Sequence, residues 1–197
     1  MLNPNETIND WLENLVYRQG LLWFGELACE LIKHGNVDQS ALSLNSKLLP
    51  ARHLTNAAFE SASVNTRAVL YFLGLEVDNQ KQQFKPRKAK PRDSDVLIEE
   101  FGGTVLSVAD FQAELTKVAN NVTLKEAAIC LIATNKTVAH LTRTGFPLPP
   151  IAPKDVQATC HTTRNLLTEA LKKLGKTPPT FPNLAGYLPN SPTTPQP

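Results

Sequence analysis

The stretch from Thr123 to Arg143 constrains the fold of this chain more than any other. It opens with Thr123 and Glu126 at capping-box spacing, in which each side chain accepts a backbone hydrogen bond from the other residue. The residues that follow are apolar on nearly all sides of a helix, and such a helix is normally buried. Its last turns carry Asn135, Lys136 and His140, polar groups that a buried helix avoids unless they are partnered or functional. We therefore predict the central helix of a bundle, ending in a polar site.

Apolar periodicity and glycine stops predict the remaining helices around this one. They cover Asn5 to Lys33 (one long helix or two abutting ones), Ala51 to Leu73, Ser94 to Phe101 (short), Val108 to Ala119, and Pro153 to about Leu174. The predicted fold is all-α: a single bundle of four to five main helices over residues 1–176, with no convincing strand. Residues 177–197 hold seven of the fifteen prolines and predict an extended tail, with Phe181, Leu184, Tyr187 and Leu188 as candidates for contact with the body.

Two connections interrupt the helices. For Asn36 to Pro50, rich in Ser and Asn, we predict one short helical turn. For Asp78 to Asp93 we predict a mobile basic loop, which either keeps the protein soluble or attracts phosphates without reading sequence. Its cations are Lys81, Lys85, Arg87, Lys88, Lys90 and Arg92.

Composition and motif content limit the cellular location and the types of chemistry that we expect for this protein. The net charge of +2 is too small for the whole surface to attract nucleic acid. Cys29, Cys130 and Cys160 form no closely spaced pair, which favours a reducing cytoplasm over a disulfide framework. We expect no signal peptide and no transmembrane span. The sequence has no phosphate-binding glycine loop, zinc motif or serine nucleophile elbow, so we expect no metal and no cofactor.

His140 is the most informative histidine because it ends the predicted buried helix beside Lys136 and Arg143. A metal-independent ribonuclease needs a group that moves protons near neutral pH, and imidazole is one. It also needs a fixed cation for the charged transition state, a role that Arg67 fills if the two helices pack together. The alternative is a helix C-terminal histidine that is favoured by the helix dipole.

A polar stripe on the helix from Ala51 to Leu73 includes Glu60 and Arg67, two turns apart on nearly the same face. It is either a solvated helix face or one wall of a site. Asn135 and His140 lie about 140° apart around a regular helix, so a site that uses both needs a partner element or a second subunit.

Three short motifs in this order resemble an uncharacterised bacterial branch of HEPN-type helical domains (higher eukaryotes and prokaryotes nucleotide-binding). The first is Glu60, a polar residue at 65, Arg67 and an apolar turn. The second is Asp95-Val96-Leu97 with Glu100-Phe101, and the third is Asn135-Lys136 with His140-Leu141-Thr142. The resemblance covers residues 51–174.

The resemblance implies a helical bundle, often a homodimer, and in many members metal-independent RNA cleavage in toxin–antitoxin or antiviral settings. It implies catalytic roles for Asn135 and His140, and we expect Arg67 to act with them as the transition-state cation, oriented by Glu60. Active members carry Arg where this chain has Thr134. Either Arg67 replaces that arginine, or the chain is a non-catalytic module that binds a protein partner or nucleic acid. The expected RNA contacts are the six cations of the basic loop together with Lys136 and Arg143.

Overall fold

The computed structural model describes residues 7–34, 41–44, 47–88, 95–138 and 152–182. The helices are α1 (Ile8–His34), α2 (Ala51–Leu73), α3 (Val108–Val118), α4 (Leu124–Val138) and α5 (Pro153–Lys173), with a 3₁₀ helix at Ile98–Phe101. The strands are β1 (Ala41–Leu44), β2 (Lys47–Pro50), β3 (Leu75–Asp78) and β4 (Gln83–Pro86). The predicted all-α bundle is confirmed, but the prediction that the chain has no strand is wrong, because it also forms two short antiparallel hairpins. No helix in these ranges is both long and apolar enough to cross a bilayer.

Helix α4 is buried, as predicted, but it is not the central helix, because α5 packs against α1, α2, α3 and α4 whereas α4 packs mainly against α2 and α5. The Thr123 hydroxyl accepts from the backbone of Glu126 at 3.2 Å, and the Glu126 carboxylate accepts from the backbone of Thr123 at 2.7 Å. These bonds satisfy two N–H groups that the first turn leaves without partners. Among the α4 side chains that are described, from 124 to 133, the buried ones are Ala127, Ala128, Cys130, Leu131, Ile132 and Ala133. The predicted extension from Ala139 to Arg143 lies outside the described residues.

Helices α1 and α2 cross closely and run antiparallel. Arg18 contacts Asn65, and about two turns further along α1 Gly25 lies against Ala62. A Cβ on Gly25 would stand 2.2 Å from the Ala62 Cβ, so only glycine permits this approach. Of the two alternatives for the first segment, the structure has one continuous helix, which passes through Gly20 without a break.

Helix α2 ends at Gly74, whose φ of +111° favours glycine. The chain then forms the antiparallel hairpin of β3 and β4, in which Val77 lies opposite Phe84. The prediction of a mobile loop from Asp78 to Asp93 is therefore wrong for the hairpin. The hairpin is ordered because Phe84 is buried, with its ring centroid 4.6 Å from that of Phe111, and so anchors β4 to the core.

Two other local predictions are corrected. β1 and β2 pair as an antiparallel hairpin, with Leu42 opposite Leu49, where we predicted a helical turn. The segment predicted as a helix from Ser94 has no regular secondary structure at 95–97 and is helical only in the 3₁₀ turn at Ile98–Phe101. Four-residue strands are too short for apolar alternation to distinguish them from turns.

Helices α3 and α5 match their predicted ranges, and Gly175 ends α5 with a φ of +71°. Beyond it, Phe181 contacts the body through Trp23, which confirms that part of the tail prediction. Leu184, Tyr187 and Leu188 lie outside the described residues.

Candidate functional site: an arginine groove between α1 and α2

An open groove with a volume of about 440 Å³ runs between α1, α2 and the segment that precedes the 3₁₀ helix. Its polar side chains are two arginines, one carboxylate, one amide and one phenol, set among apolar residues. The lining residues are Trp11, Asn14, Leu15, Arg18, Arg67, Ala68, Val69, Tyr71, Phe72, Asp95 and Val96.

Arg18 is held in place by two amide side chains. Its Nε donates to Asn14 Oδ1 at 2.8 Å, and its Nη1 donates to Asn65 Oδ1 at 2.8 Å. Asn65 is oriented in turn, because its Nδ2 donates to the carbonyl oxygen of Ser61 at 2.8 Å. A guanidinium has five N–H donors, and these two bonds leave the rest for a ligand in the groove.

Arg67 of α2 lines the same groove and also contacts helix α4. Its Nη1 lies 3.4 Å from the carbonyl oxygen of Leu131 on α4, a weak contact. Burial lowers the pKa of the Arg67 guanidinium, while the negative charge of Glu76 raises it. The group nevertheless stays charged at neutral pH, because an arginine pKa starts far above 7.

Asp95 and Tyr71 form the far wall. Burial is the main reason that the pKa of the Tyr71 phenol is raised, and its hydrogen bond with the Asp95 carboxylate contributes. A carboxylate beside the groove reduces the combined charge of its lining to one net positive charge. That balance suits one phosphodiester group.

Of the four predicted catalytic residues, only the side chains of Glu60 and Arg67 are described. Glu60 is half-buried on α2, and in the described structure no hydrogen bond joins it to Arg67. The backbone at positions 135 and 136 belongs to α4, but the side chains of Asn135 and Lys136 lie outside the described residues, as do His140 and Arg143 entirely. The predicted packing of α2 on α4 is present, since Arg67 of α2 contacts Leu131 of α4, which lies one turn before position 135.

The cations of the predicted basic loop divide into three groups. Lys81 and Lys88 are exposed. Lys85 forms ion pairs at 3.2 Å with both Glu76 and Asp78, and Arg87 pairs with Glu99 and donates to the Tyr71 carbonyl oxygen. Lys90 and Arg92 lie outside the described residues. The ion pairs reduce the positive charge that the hairpin offers to a phosphate.

The sequence analysis missed Arg18 and Trp11 as site residues, although a signal for Arg18 exists. On α1 the buried positions Leu15, Leu22 and Cys29 recur at seven-residue steps, and Arg18 falls on the same face three residues after Leu15. A charged residue on an apolar face indicates a partner or a site.

Among the described residues no group of three or more His, Cys, Asp or Glu side chains could hold a metal ion. Comparison of the chain with protein-family models, with curated proteins and with solved structures found no match.

Proposed function

We propose that this chain is a HEPN-like helical protein that binds RNA in the arginine groove and acts in a bacterial defence or toxin–antitoxin setting. One observation carries the proposal: two segments of the resemblance, which are far apart in sequence, line the same groove. Arg67 comes from the first motif, and Asp95 with Val96 comes from the second. Their meeting at one concave surface is what a shared site requires.

The chemistry of the lining supports a nucleic-acid ligand. Arg18 and Arg67 supply planar donor groups that match phosphate oxygens. Trp11 and Tyr71 supply aromatic side chains on which an unpaired base can stack. A cytoplasmic location is part of the proposal and is supported by three free cysteines. A homodimer is also part of it, because a second subunit would complete a site that uses both Asn135 and His140.

Metal-independent cleavage is the catalytic form of this proposal. In it His140 transfers the proton, Arg67 stabilises the transition-state charge, and Glu60 and Asn135 orient the groups around them. The contact of Arg67 with Leu131 supports this form, because positions 131 and 135 lie one turn apart on the same face of α4.

Binding is tested with Arg67→Gln and Arg18→Gln, each titrated with labelled single-stranded RNA. We expect each to weaken binding about tenfold and to reduce the salt dependence of log K by about 0.7, the value for one lost phosphate contact on a single strand. The control is Lys172→Gln, an exposed cation on α5. Wild-type affinity in both arginine variants would contradict the proposed groove.

Cleavage is tested separately by incubating RNA with wild type and with His140→Ala in the presence of a metal chelator. The catalytic form predicts that only wild type cleaves. Equal cleavage rates in the two proteins would contradict the catalytic form of the proposal and would not affect the proposed RNA binding.

The second candidate is a non-catalytic interaction module that binds a protein partner or nucleic acid, and Thr134 in place of the arginine of active relatives favours it. In this form the polar residues form a network that fixes the bundle. His140→Ala would then leave buried partners unpaired, at a cost of about 1–3 kcal/mol each. A clearly lowered melting temperature supports this candidate, and an unchanged one combined with lost RNA binding contradicts it.

A further inference from the structure

A second surface of the molecule already holds a peptide segment. The ring of Phe181, in the tail, stacks on Trp23 of α1 with 6.0 Å between ring centroids and 20° between planes. The guanidinium of Arg164 on α5 lies 5.7 Å from the centroid of the same ring. Both geometries are attractive, the first as offset stacking and the second as a cation–π contact. We call Trp23 and Arg164 with the surface between them the Trp23–Arg164 patch.

The cation of this patch is preorganised by a buried carboxylate. Glu26 is fully buried, and its two oxygens accept from Arg164 Nε at 2.7 Å and from Arg164 Nη2 at 3.0 Å. A bidentate pair fixes the plane of the guanidinium. Because the Arg164 side chain is already ordered, its guanidinium face can contact Phe181 with little further loss of conformational entropy.

The patch also forms a hydrogen bond with the backbone of the tail segment. Trp23 Nε1 donates to the carbonyl oxygen of Pro182 at 3.1 Å. From 176 to 182 the chain has no regular secondary structure, and it carries Pro178, Pro179 and Pro182. Aromatic surfaces that bind extended, proline-rich segments gain because prolines limit the freedom of the free peptide.

We propose that the Trp23–Arg164 patch is a recognition site for an extended peptide with an aromatic–proline dipeptide, and that the tail of this chain occupies it until a protein partner with that motif displaces it. Among the residues that the structure describes, the tail contacts the patch through the ring of Phe181 and the hydrogen bond from Trp23 to Pro182. A tethered segment competes at an effective concentration on the order of millimolar, so a partner must bind more tightly than the tail does. The tail thereby sets the minimum affinity that a partner peptide needs in order to occupy the patch.

The test uses full-length protein and a fluorescent peptide with the sequence of residues 177–184, with binding measured by anisotropy. In Phe181→Ala the tail loses the ring that stacks on Trp23, and we expect this variant to bind the peptide at least tenfold more tightly than wild type. Adding Trp23→Leu to that variant should abolish binding. Adding Tyr17→Ala, which removes another exposed aromatic side chain from α1, should leave binding unchanged.

Changes in the peptide test the same contacts without altering the protein. A peptide in which the residue corresponding to Phe181 is alanine should not bind to the Phe181→Ala protein. The proposal is overturned if that protein fails to bind the unaltered peptide, or binds both peptides equally. It is also overturned if wild type forms dimers that Phe181→Ala abolishes, because the occupant would then be the tail of a second copy.

Discussion

Glu26 shows how a single residue can violate the rule for a buried face and still be satisfied. It lies on the core side of α1 between Leu22 and Cys29, and its side chain has no exposed surface. Beside its bidentate partner Arg164, His161 places Nδ1 3.4 Å from Glu26 Oε2. The buried Glu26 carboxylate therefore links α1 to α5 through two residues of α5.

The first prediction concerns this ion pair. Glu26→Ala leaves the partly buried guanidinium of Arg164 without its partner, and we expect the free energy of unfolding to fall by about 3–5 kcal/mol. Urea unfolding monitored by circular dichroism measures it. Glu169→Ala removes an exposed carboxylate that pairs with Lys172 on the same helix α5, and should change stability by less than about 1 kcal/mol. Similar losses in both variants would contradict the role assigned to burial.

At the scale of elements, the crossing of α1 and α2 depends on the absence of one side chain. Gly25 is buried against Ala62, whereas Gly20 on the same helix has only Phe181 nearby, 3.9 Å from where a Cβ would lie. The two glycines therefore separate the packing effect of an added methyl group from its effect on helix propensity.

The second prediction follows from that difference. Gly25→Ala forces the helices apart, and we expect it to destabilise the fold by about 1–3 kcal/mol. Gly20→Ala should instead stabilise it by up to about 1 kcal/mol, because alanine favours helix over glycine. Thermal unfolding of the two variants measures both effects. A melting temperature for Gly25→Ala at or above that of wild type would show that the helices are not tightly packed there.

Long elements could be predicted from the sequence and short ones could not. Helix α5 repeats its apolar step over five turns, so its range was predicted to within a residue. The β3–β4 hairpin has four residues per strand, and its position is set by contacts from distant elements. Phe84 packs on Phe111 of α3, and the backbone N–H of Arg87 donates to the Gly74 carbonyl oxygen at 2.9 Å.

At the scale of the whole molecule, the core encloses all three thiols. Cys29, Cys130 and Cys160 come from α1, α4 and α5, and each is almost completely buried. Burial is the main cause that raises the pKa of Cys29 and of Cys130 to about 12, and it raises the pKa of Cys160 well above 9.0. The thiols are therefore kept neutral by the assembled bundle.

The third prediction is the resulting pH dependence. Above about pH 9 the unfolded chain loses thiol protons that the folded chain keeps until about pH 12, so raising the pH favours unfolding. Stability from this source is complete below pH 9 and falls between pH 9 and 12. Urea unfolding at pH 8 and pH 10 measures it, and Cys130→Ala should show a smaller drop than wild type. An equal drop in both proteins would assign the loss to other groups.

Sequence by itself determined the helical class, the burial of α4 and the ends of most helices, because periodicity, caps and glycine stops are local properties of the chain. Only the tertiary structure decided which polar residues meet. Arg18 and Arg67 lie on different helices, and Asp95 joins them from a third segment. In the same way, Trp23, Arg164 and Phe181 are far apart in sequence and become neighbours only when α1, α5 and the tail pack. Side-chain proximity across elements depends on packing angles and register, and no local pattern encodes these.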